Sequence, residues 1–132
     1  MPNASEPSDE ELLAAARAAR EHAYAPYSSF AVGAALLCED GTLVTACNVE
    51  NASYGLSLCA ERSAVAAAVA AGKRRFTTLA VVGGAEGASA PCGACRQFLF
   101  EFAPALRVLY SEGAGYEQTT LHELLPAAFE LP

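Results

Sequence analysis

Three cysteines constrain the fold of this chain more than any other feature: Cys59 alone, and Cys92 with Cys95 three positions on. Two clusters so far apart act together only if the chain brings them to one point. Three soft thiolates then suit a single zinc ion in tetrahedral geometry, with the fourth corner left for water. Glu61, two residues after the first cysteine, stands near enough to handle that water's protons. Pro91 and Gly93 suit a tight entry from loop to helix, since proline is tolerated where a helix starts. Cys92 and Cys95 at i, i+3 would share one face of a helix start, and Cys59 would open another helix. Helix N-termini carry partial positive charge and free N–H groups, which favour thiolates.

Two plainer readings of the cysteines stand beside this one. A C-x-x-C redox pair would leave Cys59 and Glu61 unexplained. A structural zinc would need a fourth ligand from His22, His122, Cys38 or Cys47, none of which stands in ligand-like spacing. Both histidines read as structural or exposed. Cys38 and Cys47 lie in apolar runs and read as buried free thiols, and an odd total of five cysteines argues against a paired disulfide framework.

At 132 residues the chain is long enough for one domain with one core. Residues 1–7 are small, polar and proline-bearing and are expected to be disordered, with the domain running from 8 to 132. No basic n-region or apolar h-region opens the chain and no apolar run approaches a membrane span, so a cytoplasmic protein with no membrane partner is expected. A formal charge of −7 argues against a nucleic-acid surface, which needs a basic stripe to neutralise phosphates. The one cationic run, Lys73-Arg74-Arg75, reads as a solvated turn. A hydrophobic content of 53% is high and is what a subunit burying surface in an oligomer would show.

The pattern of elements is regular. Ser8-Asp9-Glu10-Glu11 is a capping box that opens a helix running to near Ala23, before Pro26. Strands are expected over about Ala31 to Cys38 and Thr42 to Asn48, antiparallel through the Asp40-Gly41 turn. A polar loop follows. The alanine-rich stretch from Cys59 to Ala71 reads as a helix buried on several sides, with Gly72 closing it. Thr77 to Gly83 is a continuous apolar strand for the middle of a covered sheet. A helix from Cys92 to Ala103, strands at Arg107–Tyr110 and about Tyr116–Thr119, and a short helix at Leu121–Leu125 capped by Thr120 complete the chain. The expected fold is an α/β three-layer sandwich with one mixed sheet of about five strands.

The metal motif resembles that of the zinc-dependent nucleobase deaminases, H-x-E followed by P-C-x-x-C with cysteine allowed for histidine. Here it reads Cys59-Ala60-Glu61-Arg62 and Pro91-Cys92-Gly93-Ala94-Cys95-Arg96-Gln97. Tyr27-Ser28-Ser29-Phe30-Ala31-Val32-Gly33-Ala34-Ala35-Leu36 and Cys47-Asn48-Val49-Glu50-Asn51-Ala52 add to it, in order and spacing. Over nearly its whole length the chain resembles the small, homotetrameric cytidine deaminases.

The resemblance implies one zinc ion per subunit on Cys59, Cys92 and Cys95, and Glu61 as the acid–base that serves water, the pyrimidine ring and the leaving amine. It implies hydrolytic deamination of cytidine and 2′-deoxycytidine, a pyrimidine-salvage reaction. Three thiolates give the centre net negative charge, and Arg62, i+3 from Cys59, is placed to donate to the sulfurs. Arg96 could share that role, although an ordinary surface or interface pairing suits it as well. Asn48 and Glu50, one residue apart at a strand's exit, point the same way and offer a donor and acceptors to a ribose hydroxyl. The family uses that pair for the sugar. Phe30 is by default a core aromatic; the resemblance places it against the base, with backbone groups around Ala60 on the base edge. Phe129 matches a phenylalanine that the family places over a neighbouring subunit's base, and Tyr54 reads as an interface residue. Three rivals remain: a deaminase of a modified nucleoside such as blasticidin S, a polynucleotide-editing deaminase, and a non-catalytic zinc module.

Overall fold

The computed structural model describes residues 6–84 and 87–132. Most of the segment expected to be disordered, residues 1–5, therefore lies outside the described residues. The first helix, α1 (Asp9–Arg20), starts on the expected box: Ser8 Oγ accepts from the Glu11 N–H at 3.1 Å and Glu11 Oε1 accepts from the Ser8 N–H at 3.1 Å. It ends at Arg20 rather than near Ala23. The Glu21, His22 and Ala23 N–H groups bond three residues back, so the last turn tightens before Pro26.

Strands β1 (Gly33–Cys38) and β2 (Leu43–Cys47) pair antiparallel around Glu39-Asp40-Gly41, where Gly41 takes a φ of 91°. Strand β1 starts two residues later than expected because Val32 is claimed by Asn48, whose Oδ1 accepts the Val32 N–H at 2.9 Å. Helix α2 (Ala60–Ala70) closes with Gly72 at φ 86°, the Lys73 N–H on Ala68 O and the Gly72 N–H on Val69 O. That is a Schellman motif, and only glycine adopts such a φ without strain. Strand β3 (Phe76–Val82), α3 (Gly93–Phe100), β4 (Arg107–Glu112), β5 (Gly115–Thr120) and α4 (Leu121–Leu124) follow. Thr120 caps α4 as expected, accepting from the Glu123 N–H.

The five strands lie in the order β2-β1-β3-β4-β5, parallel only between β3 and β4, where α3 makes the crossover. The three-layer reading holds. Alternate residues of β1 face opposite layers: Ala35 and Leu37 meet Leu12, Leu13 and Ala16 of α1, while Ala34 and Leu36 meet Ala60, Ala64, Val65 and Ala68 of α2. Gly33 is a glycine for reasons of space, because a Cβ there would collide with the backbone of α1 at Ala16. Helix α2 buries little more than alanine on its sheet face, which brings its N-terminus, and the metal motif with it, close to the ends of β1 and β3. No helix among the described residues is long and apolar enough to cross a membrane.

Candidate metal centre and nucleoside site

Cys59 is the N-cap of α2 and Cys92 the N-cap of α3, both with extended backbone and neither spending its side chain on the cap. Each thiol is thereby free while sitting in the field of a helix start. The ligand atoms of Cys59, Cys92 and Cys95 lie within 4.8 Å of one another, and Cys92 and Cys95 are 3.4 Å apart at sulfur. No fourth cysteine, histidine or carboxylate among the described residues joins this group. The donor set fits a zinc ion with one open position, which is what catalysis requires and a structural site lacks.

The thiols are not equivalent. Burial raises the Cys95 pKa far above that of a free thiol, and the neighbouring charge of Glu61 adds to it. Burial also acts upward on Cys92, but hydrogen bonds from the Cys95 N–H and thiol outweigh it and lower the net value. Arg62 Nη2 donates to Cys59 Sγ at 3.2 Å, and that bond is the main reason its guanidinium pKa is raised. Arg96 does not share the role: its Nε donates to Pro91 O at 2.7 Å and its Nη1 to Leu124 O at 3.0 Å, tying the cysteine loop to α4.

Glu61, on the first turn of α2, is 5% exposed, and burial pushes its carboxyl pKa up. It opens into a cavity of about 470 Å³ shared with Cys59, Cys92, Ala60, Phe30, Asn48, Glu50 and Tyr54. Cys59, Cys92, the buried carboxylate of Glu61 and the Asn48 and Glu50 pair thus line one chamber. A second hollow, of about 500 Å³, lies beside Lys73, Arg74 and Arg75, where Lys73 is bound to Asp40 at 2.6 Å.

Asn48 is buried and committed to the backbone at both ends of its amide: Oδ1 to the Val32 N–H, and Nδ2 to Phe30 O at 2.8 Å. Glu50 Oε1 accepts from the Tyr27 and Ser28 N–H groups at 3.0 and 3.1 Å, and Oε2 accepts from Ser28 Oγ. Phe30 lies in the cavity wall across Gly83 and Gly84, either of which would bring a Cβ to 3.0 Å from its ring. Phe129 is apart from this chamber. Its backbone is pinned both ways by Gln97 while the residue stays 68% exposed. Tyr54 is 74% exposed and meets Tyr27 edge to face. Of the two histidines, both are exposed, with His122 edge-on to Phe100.

Reading the sequence left out Ser28 and Ser89. Ser28 supplies a hydroxyl to Glu50, and Ser89 lines the cavity with a buried, unpartnered hydroxyl. The Y-S-S-F run contained Ser28 in plain view, but a serine in a loop gives no periodic signal.

The family profile described as the cytidine and deoxycytidylate deaminase zinc-binding region matches residues 6–112. The chain belongs to that family of zinc-binding deaminases. It is 50% identical over 122 residues to the cytidine deaminase of Sporosarcina psychrophila, covering 91% of this chain and 90% of that one. The crystal structure of cytidine deaminase from Burkholderia pseudomallei superposes with a TM-score of 0.89 at 52% identity, over 93% of this chain and 100% of that one. The blasticidin-S deaminase of Bacillus cereus is more distant, 29% identical over 106 residues, 74% of this chain and 76% of that one.

Proposed function

We propose that this protein deaminates free cytidine and 2′-deoxycytidine, each with one water, to the corresponding uridine and ammonia. The observation that carries the reading is the single chamber in which Glu61, the three-thiolate corner and the Asn48–Glu50 pair meet. The names of the most similar relatives support it. A zinc ion on Cys59, Cys92 and Cys95 would supply Lewis acidity, lowering the pKa of water toward neutrality.

The chain's own groups do the rest. Glu61 takes the proton that water must lose, hands it to N3 of the pyrimidine, and serves the C4 amine as it leaves. It is only 5% exposed, so little bulk water competes for that proton. Arg62, donating to Cys59, offsets the charge of three thiolates. Phe30 and the backbone at Ala60 hold the base.

Counting valences shows what the sugar pair can read. A carboxylate has about four acceptor positions, and three of those on Glu50 are filled from within the chain, leaving one on Oε2. Asn48 keeps one N–H. One donor and one acceptor side by side suit one hydroxyl, and the ring hydroxyl that ribose and deoxyribose share is the 3′ one. Cytidine and deoxycytidine are accordingly both substrates.

The working form is a cytoplasmic homotetramer serving pyrimidine salvage, with Phe129 of one subunit over the base held by its neighbour. Support for the assembly comes from Tyr24, Tyr27, Tyr54, Leu56, Leu58 and Phe129, all more than a third exposed. Zinc-quantified protein mixed with cytidine tests the activity. The cytosine ultraviolet band is lost with stoichiometric ammonia, and Glu61→Ala at equal zinc content lowers kcat by about 10²–10⁴-fold. Zinc-loaded wild type that leaves cytidine and deoxycytidine untouched but consumes blasticidin S would move the assignment to the modified-nucleoside class.

A further inference from the structure

The turn that carries Phe30 is closed by one backbone bond, from the Ser29 N–H to Ala25 O, and otherwise held by the sugar-reading side chains. Glu50 takes the Tyr27 N–H, the Ser28 N–H and the Ser28 hydroxyl; Asn48 takes Phe30 O. Between Ser28 and Phe30, Ser29 adopts φ 58°, the one positive φ among the described non-glycine residues. An L-residue reaches that region only under restraint. Two restraints act there, the Ser29 N–H bond to Ala25 O at 3.0 Å and the hydroxyl of Ser28. Its Oγ donates to Glu50 Oε2 and accepts the Phe30 N–H at 3.0 Å, so one hydroxyl touches both the carboxylate and the residue bearing the aromatic ring.

We propose that Ser28 is a positioning residue which, through its hydroxyl between Glu50 and the Phe30 N–H, couples occupancy of the sugar pocket to the pose of Phe30 on the base. The inference rests on the nucleoside reading above and deepens it. A sugar hydroxyl donating to Oε2 shares that oxygen with Ser28 Oγ and fixes the carboxylate. The fixed carboxylate holds Ser28, and Ser28 holds Phe30 N while Gly83 and Gly84 support the ring from behind. Without the sugar hydroxyl the chain of contacts ends at a carboxylate that is free on its outer side. The pocket thus favours a base attached to its sugar over a free base by more than the sum of the separate contacts.

The experiment is a cycle of kcat/KM values for zinc-loaded protein. The substrates are 2′-deoxycytidine and 2′,3′-dideoxycytidine, and the enzymes are wild type and Phe30→Leu, each with Ser28 or with Ser28→Ala. With Ser28 present, removing both hydroxyl and ring costs at least about fivefold less than the product of the two single losses. With Ser28→Ala the losses multiply to within about twofold, and Ser28→Thr restores the coupling. A serine that merely supports the loop would scale all four values alike and leave the coupling intact, which overturns the proposal. Losses that already multiply with Ser28 in place overturn it as well. Should Ser28→Ala fail to fold, Ser28→Cys, a weaker donor, takes its place and must shrink the coupling. Lack of any turnover by wild type overturns the nucleoside reading and this proposal together; turnover with multiplying losses overturns this proposal alone.

Discussion

At the metal end of the chamber every functional group caps or opens a helix whose far side is buried; at the sugar end the groups come from the exit of an edge strand and a four-residue turn. Cys59 and Cys92 are N-caps, and Ala60, Ala64, Val65 and Ala68 of α2 and Leu99 of α3 lie in the same core cluster. Packing of α2 and α3 therefore brings the sulfurs together. Asn48 and Glu50 follow β2, which is paired on one side only, and their turn is held by side-chain hydrogen bonds of its own. Around them Tyr54, Leu56 and Leu58 are 74%, 66% and 51% exposed. Three thiols and Glu61 meet at the metal end within one chain, whereas the sugar end carries an exposed apolar rim.

The largest expected effect comes from removing the metal. Cys95 is fully buried, and without a cation its thiol is held protonated against Cys92 and near the Glu61 carboxylate. Metal binding at a site assembled by folding adds its free energy to folding. Chelation therefore abolishes deamination and lowers Tm by about 4 °C or more, roughly what 1 kcal/mol does in a domain of this size. Both recover when zinc is restored. The comparison breaks if stripped protein melts at the same temperature, since the three thiols would then not be holding a metal that belongs to the folded state.

The two ends also differed in how far the sequence disclosed them. Ligand, cap and carboxylate at Cys59-Ala60-Glu61-Arg62 are neighbours on one turn, so a local motif carries their geometry. The capping box at Ser8 and the closing glycine at Gly72 were legible for the same reason: the physics is local. At the sugar end the decisive contacts join residues 16 to 23 positions apart. Asn48 and Glu50 could be found there, but not their prior engagement to Val32, Phe30 and Ser28. That engagement moved the start of β1 from Ala31 to Gly33, and the short 3₁₀ turn at Tyr54–Leu56 read only as a polar loop. Ser89 was silent because a lone serine in a loop of glycine and alanine carries no sign that its hydroxyl will be buried.

A smaller effect separates Asn48 from Glu50. Asn48→Ala leaves the Val32 N–H and Phe30 O without their partner at a position that is 9% exposed. Leaving buried polar groups unpaired costs about 1–3 kcal/mol. Asn48→Ala is therefore expected to lower Tm as well as raise the KM for deoxycytidine. Glu50→Gln, on a more exposed side chain, raises KM with Tm nearly unchanged. Thermal melts beside steady-state kinetics check this. Equal Tm losses in both variants would mean that the sugar end is structural throughout, and the contrast between them would go.

The smallest expected effect is in the titration of Glu50. The Ser28 hydroxyl, then the Ser28 N–H, donate to its carboxylate and hold the pKa below the usual glutamate range. A carboxylate with a depressed pKa offers its acceptor at every pH above the lowered midpoint and loses it as the pH falls through that midpoint. Affinity for the sugar hydroxyl is thus fully present at neutral pH, and Glu50 gives it up only below the ordinary glutamate value of about 4.3. Carboxyl ¹³C NMR should place the Glu50 midpoint below that value in wild type and show it rise in Ser28→Ala. An unshifted midpoint in wild type would mean that the turn does not hold Glu50 in solution. The sugar end would then depend on its ligand for its order, and the difference from the metal end would be larger than the hydrogen bonds alone imply.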